Sequence, residues 1–183
     1  MIFCSTKKEA SELSKKFNET GRYSTIMLCG ENSQEERESA VERLVTTNHP
    51  HKLDYIFTVD IFNEGVDIPE INQVIMLRPT ESPIIFVQQL GRGLRKADGK
   101  EFVIVIDFIG NYQNNYMIPI ALSGDRTGNK DNIRRSLMEG NNLIQGASTI
   151  YFDEVSRKKI YESIDAANLN RAQILKKEYQ SLK

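Results

Sequence analysis

At 183 residues, 39% apolar and a formal net charge of −1, the chain is long enough to bury a substantial core and lacks the basic surplus that a free-standing nucleic-acid binder normally shows. No run approaches the ~18 apolar residues of a membrane span, and no basic segment leads into an apolar one at the start. No membrane span and no signal peptide is therefore visible in this sequence, and the expected compartment is the cytoplasm. The charge is uneven: residues 1–110 carry 13 basic and 17 acidic side chains, or −4, and residues 111–183 carry 11 and 8, or +3. Nucleic-acid contact, if any, is then local or shared with a partner domain.

Ile2-Phe3-Cys4-Ser5 reads as a short buried strand. It begins almost at the first residue, which suggests a cut inside a longer protein. A helix follows Thr6, with Ala10, Leu13 and Phe17 on one side and Gly21 at its end. Tyr23 to Cys29 is the second strand. Cys4 and Cys29 both lie in apolar runs and are expected to be buried, reduced thiols. Ser33 and Glu36 have the spacing of a capping box, opening a second helix with Ala40, Val41, Leu44 and Val45 inward. Asn48-His49-Pro50 stops it, and His49 and His51 are given no chemistry. Asp54 to Val59, Asn72 to Leu77 and Glu101 to Phe108 are the third, fourth and fifth strands.

Strands alternating with helices at this spacing predict a parallel, doubly wound α/β sheet. Their apolar runs are continuous rather than alternating, as expected when both faces are covered. Ligands in such sheets bind at the carboxyl ends of the strands, which here hold Ser5, Gly30, Asp60 and Arg78. Beyond Gly110 the texture changes. Met117 to Leu122 reads as a helix interrupted by Pro119, and Ser123 to Asn129 as a loop. Asn132 to Glu139 is a short helix ended by Gly140, and Ser148 to Phe152 one more strand. A helical tail follows, with Ile160 and Ile164 as one anchor pair and Leu169, Ala172 and Leu175 as another. The expected division is 1–110 for the sheet domain and 111–183 for a mainly helical extension.

The segment with the most chemistry is Ser82 to Lys96. Ser82 is a plausible N-cap, Pro83 suits the first helical position, and Phe86, Leu90 and Leu94 form one apolar edge. Gly91 and Gly93 interrupt this helix at about 1 kcal/mol each against alanine. Gln88, Arg92 and Arg95 make a polar stripe beside them. Alone, the stripe reads as a solvated helix face or as a polyphosphate site. Thr58 to Pro69 is the second such segment, with Asp60 and Asp67 split by Gly65 in a loop that leaves a strand. A metal site there lacks a third ligand.

Gln88-x-x-Gly91-Arg92-x-x-Arg95 resembles motif VI of superfamily 2 helicases. The loop with Asp60, Gly65 and Asp67 resembles motif V, and Ile2 to Thr6 resembles motif IV. Gln34-x-x-Arg37 is similar to the accessory Q-x-x-R of DEAD-box relatives. Together, residues 1–108 resemble a C-terminal RecA-like domain, and the run from Asn63 to Arg95 looks closest to bacterial helicases of the restriction and repair type. The resemblance implies a RecA-like parallel sheet sandwiched by helices. It implies that Arg92 and Arg95 reach the γ-phosphate of ATP, that Gln88, Gly91, Gly65 and Asp67 lie at the nucleotide, and that Ser5, Thr6, Gly30, Arg37, Thr58 and Arg78 face a nucleic-acid strand, a DNA strand on this reading.

One departure is Val59, where relatives carry a threonine, which moves that hydroxyl contact to Thr58 or removes it. No G-x-x-x-x-G-K-[S/T] loop and no D-E-x-x box occurs in the chain. ATP would then be shared with an N-terminal RecA-like domain of the same polypeptide, which would hold the Mg²⁺, and this chain alone would hydrolyse no ATP. The rival reading is a nucleic-acid-binding or adaptor domain that keeps the fold without a motor partner.

Overall fold

The computed structural model describes residues 1–59, 61, 68–78, 97–108, 115–125, 127–139 and 150–167. The chain divides into two compact units. Described residues 1–78 and 97–108 belong to the first, and those from 115 onward to the second.

The first unit is built on a five-stranded sheet, β1 (Ile2–Phe3), β2 (Thr25–Leu28), β3 (Tyr55–Thr58), β4 (Gln73–Met76) and β5 (Ile104–Asp107), ordered β2-β3-β1-β4-β5. Every pairing is parallel, so all five carboxyl ends lie along one edge. Ile2 is registered with Phe57 on one side and Ile75 on the other, and Phe57 with Met27. These four belong to one cluster with Cys4, Val59, Ala10, Leu13 and Phe17. The last three come from α1 (Lys7–Glu19), the helix predicted after Thr6, which packs over β2 and β3. Phe17 meets Phe57 and Tyr55 edge-on, with ring centroids 5.3 and 6.1 Å apart. On the opposite face of the sheet Phe3, Leu28, Thr58 and Met76 are buried.

Both ends of α1 match the sequence reading. Thr6 Oγ1 accepts from Glu9 N–H, and Gly21 takes the left-handed φ of +67° that the chain reversal needs. The predicted capping box of α2 (Gln34–Val45) is complete: Ser33 Oγ accepts from Glu36 N–H, and the Glu36 carboxylate accepts from Ser33 N–H. That carboxylate is held below its usual range by the Ser33 N–H and by Asn32.

The sheet edges differ. β2 is an edge strand whose Ser24 and Leu28 carbonyls serve β3, which turns Thr25, Met27 and Cys29 outward. Asn18 from α1 closes the first of these, accepting from Thr25 N–H at 2.8 Å and donating to Thr25 O at 3.0 Å. Asn32 accepts from Cys29 N–H at 2.8 Å. Behind Asn18, Ser14 Oγ and Thr25 Oγ1 share a buried 2.8 Å hydrogen bond. At the other edge, β5 is more exposed than the central strands. Ile106 continues the Ile2–Ile75 row, yet it is 40% exposed and Ile104 47%. α1 lies over the β2–β3 half of this face.

In the second unit, α3 (Met117–Ser123), α4 (Lys130–Glu139) and α5 (Glu154–Ala166) pack in sequence, with Ile118, Ile133, Leu137, Ile160 and Ile164 buried. Pro119 does not interrupt α3. It sits in the first turn, where its missing N–H has no partner to lose, and Gly124 ends the helix in the left-handed region at φ +69°. The loop expected from Ser123 therefore starts one residue later. The strand expected over Ser148 to Phe152 is absent among its described residues, 150–152. Phe152 is buried and Tyr151 exposed, and the segment runs straight into Asp153, the N-cap of α5, which accepts from Ser156 N–H at 2.7 Å. Arg134 pairs with Asp131 one turn away in α4 and with Asp165 across the α4–α5 contact. Leu169, Ala172 and Leu175 lie outside the described residues. No helix among the described residues is long and apolar enough to cross a membrane.

Candidate nucleic-acid edge

The carboxyl ends of β1, β2 and β3 bring Ser5, Thr6, Gly30 and Thr58 to one edge of the first unit. Ser5, Thr6 and Gly30 are exposed. A β-carbon placed on Gly30 would meet nothing within 4 Å, so that side of the backbone is open. α1 begins at this edge and points its N-terminal N–H groups toward it, an arrangement that suits an anion.

The other residues sit differently. Thr58 is fully buried, and its Oγ1 donates to Ile61 O at 3.2 Å, closing the turn that leaves β3. The hydroxyl expected at the surface is thus spent inside the protein. Arg37, on the first turns of α2, donates from Nη2 to Gly30 O at 3.0 Å and reaches Cys29 O at 3.5 Å. Its Nε is buried with no partner among the described residues. Arg37 therefore fastens the Gly30 loop from below. Arg78, just past β4, is half-buried and partnered, and its N–H donates to Phe3 O at 3.1 Å. Asp60, Gly65, Asp67, Gln88, Gly91, Arg92 and Arg95 lie outside the described residues.

Two acidic side chains that the sequence reading passed over lie among these groups. Glu9 Oε2 accepts from Ser5 N–H at 2.9 Å. Glu31 Oε1 sits 2.6 Å from Lys7 Nζ. The contact with Glu31 raises the Lys7 ammonium above its ordinary pKa, and the same bond holds the Glu31 carboxyl below its own. Glu9 had a local signal, because Thr6-Lys7-Lys8-Glu9 has the spacing of a capping box. Glu31 had none, since its partner is 24 residues away.

An all-parallel sheet of order β2-β3-β1-β4-β5, with its hydroxyls and helix N-termini on one edge, is a RecA-like architecture. The family model described as the helicase conserved C-terminal domain matches residues 1–97, more than half of the chain. The chain belongs to that family, the C-terminal RecA-like domain of superfamily 2 helicases. Over 110 residues it is 30% identical to IRC3 of Saccharomyces cerevisiae, a protein classed by name with the ATP-dependent helicases. That alignment covers 60% of this chain and 15% of the relative, so the chain spans a small part of the length of the protein it matches. The fold is shared with the yeast DEAD-box splicing factor Prp28, at a TM-score of 0.58 and 17% identity over 91% of this chain and 31% of that one. It is shared also with the ATP-dependent Type ISP restriction–modification enzyme LlaBIII bound to DNA, at 0.56 and 22% over 97% and 13%.

Proposed function

We propose that this chain is the second motor domain of an ATP-dependent nucleic-acid helicase or translocase, acting on DNA. The observation that carries the reading is the match of residues 1–97 to the helicase C-terminal family together with the Gln88-x-x-Gly91-Arg92-x-x-Arg95 sequence inside that span. Phosphoryl transfer depends on positioning and charge neutralisation, and an arginine delivered from a neighbouring unit adds roughly 10³–10⁵ in rate. Arg92 and Arg95 supply such charges to the γ-phosphate, with Gln88, Gly91, Gly65 and Asp67 beside the nucleotide. A phosphate loop and a magnesium-holding acidic box, which this sequence lacks, come from an N-terminal RecA-like domain of the same polypeptide. ATP binds between the two domains, and the edge formed by Ser5, Thr6 and Gly30 holds the phosphate backbone of one strand. Arg37 and Thr58 enter as supports of that edge, consistent with their bonds to Gly30 O and Ile61 O.

The test is Arg95→Ala in the intact protein, followed by nucleotide binding and DNA-stimulated ATP turnover. The expected outcome is retained ATP binding with turnover reduced by about 10³ or more. Unchanged turnover defeats the assignment.

A further inference from the structure

The nucleic-acid edge carries its own anions. Ser5 N–H, at the end of β1 beside the N-terminus of α1, is occupied by the Glu9 carboxylate at 2.9 Å. Lys7, the cation of that first turn nearest the edge, is occupied by Glu31 at 2.6 Å, and Glu31 reaches it from the loop after β2. The Thr6 hydroxyl oxygen is already accepting from Glu9 N–H at 3.1 Å. A phosphate arriving at Ser5 and Lys7 therefore meets donors that are already satisfied by carboxylates, and it binds only by replacing them. Both pairs are exposed, with Lys7 and Glu31 side chains 51% and 78% accessible, so the exchange needs no unfolding.

We propose that Glu9 and Glu31 are resident competitors for the nucleic-acid phosphate. They weaken the domain's grip on the strand and make its salt dependence at these positions shallower. The inference rests on the reading of this edge as the nucleic-acid side and deepens it with an affinity-setting device. The thermodynamic signature follows from counterion bookkeeping. When a free lysine binds a phosphate, the strand sheds condensed cations, and log K falls with log salt by about 0.7 per contact on single strands. When Lys7 leaves Glu31 for a phosphate, the salt that screens the new contact screens the old one as well, so the slope at this contact is shallower than for a free lysine. Removing the Glu31 charge restores the ordinary slope.

The experiment measures binding of the 183-residue chain to a fluorescein-labelled single-stranded oligothymidylate over a range of salt concentrations, for wild type, Glu31→Gln, Glu9→Gln and Lys7→Ala. Thermal unfolding is followed alongside. Glu31→Gln is expected to bind about twofold to fivefold more tightly at low salt and to steepen the salt slope by up to about 0.7. Glu9→Gln is expected to tighten binding with little change of slope, since the glutamine oxygen still accepts from Ser5 N–H but carries no charge to repel the phosphate. A second readout is independent of nucleic acid: the Lys7 ammonium pKa, followed by NMR, falls in Glu31→Gln. If Lys7→Ala weakens binding while neither glutamine variant tightens it, the competitor role is overturned and the edge assignment stands. If no form of the chain binds and the Lys7 pKa does not move, both fall together.

Discussion

Residues at the strand tips divide into those that face solvent and those that hold the others in place. Gly30 is of the first kind. Its backbone has open space where a β-carbon would sit and a φ that other residues adopt, so Gly30→Ala is expected to leave the fold intact or to stabilise it by about 0.4–1 kcal/mol. The same methyl stands where a strand backbone would approach, so oligonucleotide binding is expected to weaken; denaturant unfolding and binding titrations on one preparation check both halves. Cys4 is of the second kind. It is 1% exposed, and burial, with the Glu9 charge next, pushes its thiol from an ordinary value near 9 up to about 12. Above pH 9 the unfolded chain loses this proton and the folded chain keeps it, so folding stability falls with rising pH through the alkaline range until the folded thiol titrates near 12. Unfolding measured against pH should show that decline in the wild type and a shallower one in Cys4→Ala. Below pH 9 the two should run parallel. Native Cys4 should also resist thiol reagents until denaturant is added.

At the scale of the elements, the α1–β2 corner is held by directional bonds. Asn18 gives Thr25 both of the partners that a neighbouring strand would have given it. Asn18→Ala removes two hydrogen bonds from that outward edge and is expected to cost about 2 kcal/mol. An unfolding midpoint unchanged within error would show that water replaces them at no cost.

How much of this was legible in the sequence depends on the range of the interaction. The caps of α1 and α2 were readable because each partner lies three residues from the other, as with Ser33 and Glu36. The five strands were readable because apolar runs of this length, separated by helices, have few other solutions. Their limits were not. Tyr23 to Cys29 is largely apolar, but the ladder itself spans only Thr25–Leu28, and the flanking residues bond to Asn32 and Asp54 side chains instead. Ile150-Tyr151-Phe152 has the composition of a strand, yet a single buried ring and the Asp153 cap set its path. Lys7–Glu31 and Asn18–Thr25 join distant or differently shaped elements, and no periodicity in a single chain reveals such pairs. The arginines of the motif VI segment came from resemblance, and their placement lies outside the described residues.

For the molecule as a whole, the decisive quantity is what one domain can do alone. With its arginines but without a phosphate loop or an acidic box, the chain is expected to show no ATP turnover above background, with or without DNA. A steady rate abolished by Arg95→Ala in this chain alone would mean that the triphosphate cradle is built from residues within it. On the proposed function, the net −4 on residues 1–110 would leave strand binding to a few placed donors rather than to a basic surface.

The polar key of Ser14, Thr25 and Asn18 has a mechanical meaning. Apolar contacts let a helix creep along a sheet, whereas paired amides and hydroxyls fix its station. A pull on Thr6 would therefore reach the outermost strand through α1 and these directional bonds as well as through its apolar contacts. If the domain steps along a polymer as proposed, little slack at the point where it takes hold is an advantage.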